Sequence, residues 1–252
     1  MSTILLETGV DGVSNFRDFG GLATQDGAKI VTGRLFRSAN PAGVTAEGAA
    51  RLAQLGIATI VDLRGTAERI KALADFGTAP IAIRAAPIEP KTSIKLREML
   101  ALPETKAAHI RDLMIDSYRG YVNDAAPAFG EAFHAILAQA DGPLLVHCTA
   151  GKDRTGFVVA VLQAALGVKR DAIFDDYLAT NRHWDRASVA GHVPTDSAAV
   201  EPVLVADADY LAAAFEEIDR RDGDVIAFLR RATDGRVTQA HLDALIERSR
   251  QP

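Results

Sequence analysis

Apolar positions along this chain alternate between two periods. Short continuous runs at 33–37, 57–61, 81–83 and 144–147 read as buried strands. The second of these, Ile57-Ala58-Thr59-Ile60-Val61, ends on an acid, Asp62. Helical segments fall between them. Thr45 caps one, with Glu47 in its first turn and Gly56 at its end. A second spans 128–139 and stops before Asp141-Gly142-Pro143; a third, nearly all apolar, covers 157–166 and is stopped by Gly167. Strands alternating with helices predict an α/β fold, a mainly parallel central sheet flanked by helices. Ligands bind such sheets at the carboxyl ends of strands. Asp62 and Cys148 both fall at such ends.

Two stretches depart from this alternation. Within 91–123, Ile110, Leu113, Met114, Tyr118, Tyr121 and Val122 recur at helical spacing, after a shorter run at 94–100 that precedes Pro103. This insertion is either a pair of helices covering core or a mobile helical lid. Residues 187–201, small and polar with Pro194, read as a loop or hinge. Beyond them, 207–247 reads as helices through Tyr210, Leu211, Ala214, Phe215, Ile218, Leu242, Leu245 and Ile246. The expected organisation is one domain over 1–252, with an insertion at 91–123 and C-terminal helices over 203–252.

The run His147-Cys148-Thr149-Ala150-Gly151-Lys152-Asp153-Arg154-Thr155-Gly156 adds chemistry to this frame. It holds the only cysteine of the chain, and an arginine follows after five residues. A thiolate, not a thiol, is the nucleophile, and a helix N-terminus or a fixed cation favours it. Unpaired amides at a helix start make an anion site. The amides of Thr149, Ala150, Gly151, Lys152, Asp153 and Arg154 can therefore curl around a phosphate. Arg154 adds a planar fork suited to two phosphate oxygens. Gly151 permits a tight turn, and Thr155 can offer its hydroxyl to the cysteine sulfur. His147 reads as an organiser of the loop. A nucleotide-binding loop of the Walker type fails here, because Val146 and Asp153 stand where a glycine and a Ser or Thr are needed. A sulfurtransferase loop would leave Arg154 without a purpose.

This run resembles the signature of the cysteine-dependent protein tyrosine phosphatases. Its Gly-Lys-Asp-Arg-Thr-Gly form is similar to a bacterial group of these enzymes that includes dual-specificity and lipid phosphatases. Asn15-Phe16-Arg17-Asp18-Phe19-Gly20-Gly21, Gly33-Arg34-Leu35-Phe36-Arg37-Ser38, Asp62-Leu63-Arg64 with Glu68, and Asp176-Tyr177-Leu178 resemble further motifs of that group. The likeness runs from about residue 11 to 235. It implies a tyrosine-phosphatase-like fold and hydrolysis of phosphate monoesters through a phosphocysteine. It also implies that Asp153 and Lys152 take part, and that phosphotyrosine, phosphoserine, phosphothreonine or phosphoinositides are substrates. The alternative is a phospho-ligand binding module without turnover.

A general acid must protonate the leaving oxygen. Asp153 and Asp62 lead the candidates, ahead of Asp112, Asp116 and Asp124. Against these roles stand an ion pair of Asp62 with Arg64, and an orienting bond from Asp153 to Arg154 or Arg17. Lys152 adds charge for the phosphate or sits solvated at the loop rim. Arg37 and Arg64 either extend a positive lining or form salt bridges. The other histidines lack metal-ligand spacing, and neither metal nor cofactor is expected. A net charge of −5 argues against nucleic-acid partners. No apolar run reaches the roughly 18 residues of a membrane span. A single cysteine and no visible signal peptide suit a reducing cytoplasm, with export by a signal-less route still open. Oligomeric state is not legible.

Overall fold

The computed structural model describes residues 9–72, 74–77, 80–90, 92–138, 142–186 and 198–247. Its first half contains β1 (Arg17–Asp18), β2 (Lys29–Ile30), β3 (Leu35–Ser38), α1 (Ala46–Gln54), β4 (Thr59–Asp62), α2 (Thr66–Lys71), β5 (Ala82–Ala85), α3 (Thr92–Leu100), α4 (Ala107–Asn123) and α5 (Ala126–Leu137). Its second half contains β6 (Leu144–His147), α6 (Asp153–Ala165), α7 (Arg170–His183), α8 (Glu201–Leu204), α9 (Ala208–Asp222), α10 (Val225–Ala232), α11 (Gln239–Asp243) and β7 (Ile246–Glu247).

Five strands form the central sheet in the order β1-β3-β6-β4-β5, parallel except for β1. Successive side chains of a strand face opposite sides of a sheet. Phe36, Ile60 and Leu145 accordingly join a core with Leu52 of α1, while Leu35, Val61, Leu144 and Val146 face a larger core with α4, α5, α6 and α9. α6 is buried along most of its length, from Arg154 to Gln163, which explains a sequence with no polar face. In the parallel register Ser38, His147 and Asp62 lie side by side at the carboxyl ends of β3, β6 and β4.

The predicted strands appear within two residues of their expected ends, and α1 is capped by Thr45, whose side chain accepts from the Gly48 amide at 3.1 Å. α5 covers most of the expected 128–139 helix; Gln139 lies outside the described residues. α6 begins four residues earlier than the apolar pattern suggested, because its first turn is polar and faces the loop. α7 was not anticipated, although Ile173, Tyr177 and Thr180 repeat at helical spacing and are all buried. Of the expected hinge, 187–197 lies outside the described residues, while Glu201 starts α8. Ile246, expected in a helix, pairs with Ile30 in a small antiparallel ribbon of β2 and β7.

The insertion divides into two unlike helices. α4 buries Ile110, Leu113, Met114, Tyr118 and Val122, and packs mainly on α9. α3 buries none of its residues. Among the described residues no helix is long and apolar enough to cross a membrane.

Candidate active site

The loop after β6 is shaped from outside, through its carbonyl groups. The Asn40 amide donates to the Thr149 carbonyl at 2.9 Å. The Asn15 side-chain amide donates to the Ala150 and Gly151 carbonyls, each at 3.0 Å. Arg37 Nη2 adds a second donor to Gly151 O at 2.9 Å. In a trans peptide the carbonyl of one residue and the amide of the next point opposite ways. Three carbonyls drawn outward therefore turn the amides of Ala150, Gly151 and Lys152 inward. Gly151 adopts φ +65°, and a Cβ there would meet Ser38 O at 2.2 Å. Only glycine lets the loop back so closely onto the end of β3.

Behind these donors lies a buried ionic cluster. Asp176 of α7 receives Arg17 Nε at 3.1 Å and Arg37 Nη1 at 2.9 Å, and all three residues are at most 3% exposed. Arg17 also donates to the Asn15 side-chain oxygen. Burial would raise the Asp176 carboxyl, but the two arginines hold it below the usual carboxylate range. Burial and the neighbouring Arg37 lower Arg17 to about 10, still charged at neutral pH.

Cys148, 2% exposed, follows β6 directly and lines a cleft of about 1140 Å³. Arg154 stands in the first turn of α6, and Glu68 of α2 fixes its fork with contacts of 2.6 and 2.8 Å. Arg154 also donates to Ile88 O at 3.1 Å and Thr149 Oγ1 at 3.3 Å. Burial opposes charge on both partners, yet their mutual hydrogen bonds prevail. Arg154 is raised above its usual range and Glu68 is lowered to about 2. Thr155 is fully buried and its hydroxyl has no hydrogen-bond partner among the described residues, leaving an unspent donor beside the loop.

The structure separates the two leading aspartates. Asp62 accepts from Arg64 Nε, Nη2 and backbone N at 2.8–3.0 Å, and does not line the cleft. Burial alone would raise its carboxyl, but Arg64 and His147 bring it below the ordinary value. Asp153 lines the cleft with its side chain 26% exposed. Its Oδ1 accepts from Tyr118 at 2.9 Å and lies 3.2 Å from Lys152 Nζ. Tyr118 has one proton and gives it to Asp153, so Tyr177, 2.7 Å away, donates to Tyr118. Burial pushes both phenols well above their usual range. Asp112, Asp116 and Asp124 do not line the cleft.

Other readings shift as well. Asp153 orients neither Arg154 nor Arg17; Glu68 and Asp176 do so. Lys152 is not solvated. It is 1% exposed, with Nζ on Val203 O at 2.7 Å and Val205 O at 2.9 Å, and 5.8 Å from the Trp184 ring centroid. Arg37 and Arg64 are both salt-bridged, and Arg64 also lines the cleft. His147 Nδ1 lies 2.8 Å from Cys148 O, so this nitrogen carries the proton. Burial lowers His147 to about 4, which keeps the ring neutral. The holding roles of Asn15, Glu68, Tyr118 and Asp176 were not legible, since each acts on a residue at least 35 positions away.

Known proteins are similar to this chain over most of its length. The profile of the tyrosine phosphatase family matches residues 8–249. A putative tyrosine-protein phosphatase of Cupriavidus necator is 36% identical over 91% of this chain and 85% of its own length. The triple specificity protein phosphatase PtpB of Mycobacterium tuberculosis is 32% identical over 93% of this chain and 95% of its own. The crystal structure of TpbA from P. aeruginosa has 20% identity and a TM-score of 0.38, over 82% of this chain and 90% of that one. With the family's profile matched almost from end to end, this chain belongs to the tyrosine phosphatase family and is a phosphoric monoester hydrolase.

Proposed function

We propose that Cys148 Sγ attacks the phosphorus of a protein phosphotyrosine in line, forming a phosphocysteine while the P–O bond to the tyrosine breaks. Asp153 gives its proton to the departing phenolic oxygen. In the second step Asp153 takes a proton from water, the water oxygen bonds phosphorus and the P–S bond breaks. Phosphate leaves and the thiolate is restored. Arg154 and the amides of Thr149, Ala150, Gly151, Lys152, Asp153 and Arg154 hold the three equatorial oxygens, a preorganised electrostatic site. Thr155 donates its unspent hydroxyl to the sulfur. Lys152 holds Asp153 and the 203–205 backbone in place, and Asp62 supports Arg64 rather than transferring protons.

One observation carries this reading. Cys148 lines the cleft together with Arg154, whose fork is already set, and with Asp153, the one aspartate of the loop. A second reading, that phosphoinositides are also accepted, is favoured by Arg64, Lys71 and Arg97 in the cleft wall. Residues 91–123 then act in part as a lid, through α3 alone, on a single domain spanning 1–252. A thiol nucleophile suits a reducing cytoplasm.

Phosphate release with chelator present tests the proposal on phosphotyrosine, phosphoserine and phosphothreonine peptides and on phosphoinositides. Cys148→Ser is expected to lower turnover roughly 10⁴-fold or more. Asp153→Asn is expected to lower kcat about 10²–10³-fold on phosphotyrosine peptides, and much less on aryl phosphates with electron-poor leaving groups. Full turnover by the serine variant, or an Asp153→Asn loss independent of the leaving group, would overturn the assignment.

A further inference from the structure

Asn15 is the feature that the proposed chemistry leaves unused and the geometry singles out. It is 2% exposed and one of two described non-glycine residues with positive φ, at +58°. That left-handed conformation is disfavoured for most side chains, visited more readily by asparagine, and kept where the surroundings hold it. The surroundings here are specific. Its backbone amide donates to His183 O at 2.8 Å, and its side-chain oxygen accepts from Arg17, which is held in turn by Asp176. With the oxygen so engaged, the NH2 group is forced toward the loop. It meets the Ala150 and Gly151 carbonyls at 3.0 Å each.

We infer that Asn15 is a positioning residue for phosphate binding. It never touches the substrate. By drawing two loop carbonyls outward it keeps the amides of Gly151 and Lys152 turned into the cradle, and Arg37 shares the second of these carbonyls. Arg17, Arg37 and Asp176 serve to fix the Asn15 amide and the strand end beside it. Without the Asn15 donors, the Ala150 carbonyl loses its side-chain donor and the Gly151 carbonyl keeps only Arg37, and an inward carbonyl would repel an anion where an amide attracts it. This deepens the phosphatase reading and rests on it for the identity of the anion.

Two variants separate positioning from mere turn geometry. Asn15→Gly relieves the left-handed backbone and deletes the donor. Asn15→Asp keeps size and turn preference but replaces the NH2 with an oxygen. Binding of tungstate, a phosphate-like oxyanion, is measured by calorimetry on the full chain, beside kcat/KM and a thermal melt. Both variants are expected to melt within a few degrees of wild type, to bind tungstate at least about tenfold more weakly, and to lose kcat/KM by a similar factor. If the folded variants bind tungstate within twofold of wild type, Asn15 is only a turn residue and the inference is wrong. If wild type binds tungstate but turns over no phosphate ester, the phosphatase reading fails, while the loss of binding in the variants still upholds the role of Asn15.

Discussion

The two sides of the 148–154 loop are built differently. Its back rests on Asn15, Arg17, Arg37 and Asp176, each no more than 3% exposed and drawn from three separate stretches of chain. Its front faces a wide cleft bordered by α2 and α3, neither of which buries a residue fully. Ile70 on α2 and Ile94 on α3 are 76% and 69% exposed. The back is held by buried partners, while the front is lined by helices that leave large apolar side chains exposed.

The sharpest way to break the contrast is at the back. Asp176→Ala strands two buried arginines, and breaking such a pair typically costs about 3–5 kcal/mol. At this chain length that lowers the melting temperature by roughly 2–4 °C per kcal/mol. A calorimetric scan showing no drop would mean the cluster is not structural. Next comes the flank. Tyr118→Phe removes the donor to Asp153 while keeping the ring in its core position, so kcat on phosphotyrosine peptides should fall about tenfold with the fold intact. An unchanged pH–rate profile and kcat would show that the bond is idle.

Acid titration reads His147 and Glu68 in separate windows. Unfolded His147 takes up a proton near 6.5, but the folded residue does so only near 4. Between those values the unfolded chain binds more protons, so this contribution to stability falls as pH drops from about 6.5 to 4. Glu68 is lowered from 4.5 to about 2 in the folded chain, so the stability from its pair with Arg154 is present above 4.5 and lost as pH falls toward 2. Thermal melts across pH should show two declines; His147→Gln should flatten the upper one and Glu68→Gln the lower. The smallest effect is expected at the front. Ile94→Glu on α3 should change stability by no more than about 0.5 kcal/mol. Amides of α3 should also exchange hydrogen faster than those of α4. Equal protection of the two helices would erase the distinction between them.

The parts legible in sequence were those with a local signal. β4, β6, α1 and the loop announce themselves by apolar runs, a Thr45 cap and the spacing of Cys148 to Arg154. The start of α6 was hidden because its first turn is polar and serves the loop. Asp62 looked attractive at a strand end, but its oxygens are taken up by Arg64, only two residues on. The choice between the two readings of the insertion also had no local answer. α4 and α3 both carry apolar residues, and only packing against α9 shows which of them is core. Glu68, Asn15 and Asp176 reach their partners across 86, 136 and 159 positions, and no periodicity reports such pairs.

Because the loop carbonyls are held from outside, the ten-residue run is not a portable module. Grafted onto another strand–helix turn, residues 147–156 would bring the thiol and the guanidinium but not the orientation of the amides. That orientation is stored 135 residues upstream, in a side chain near the start of the described chain. A transplant or a circular permutation would keep its grip on phosphate only by carrying the segments around Asn15, Arg37 and Asp176 along with the loop.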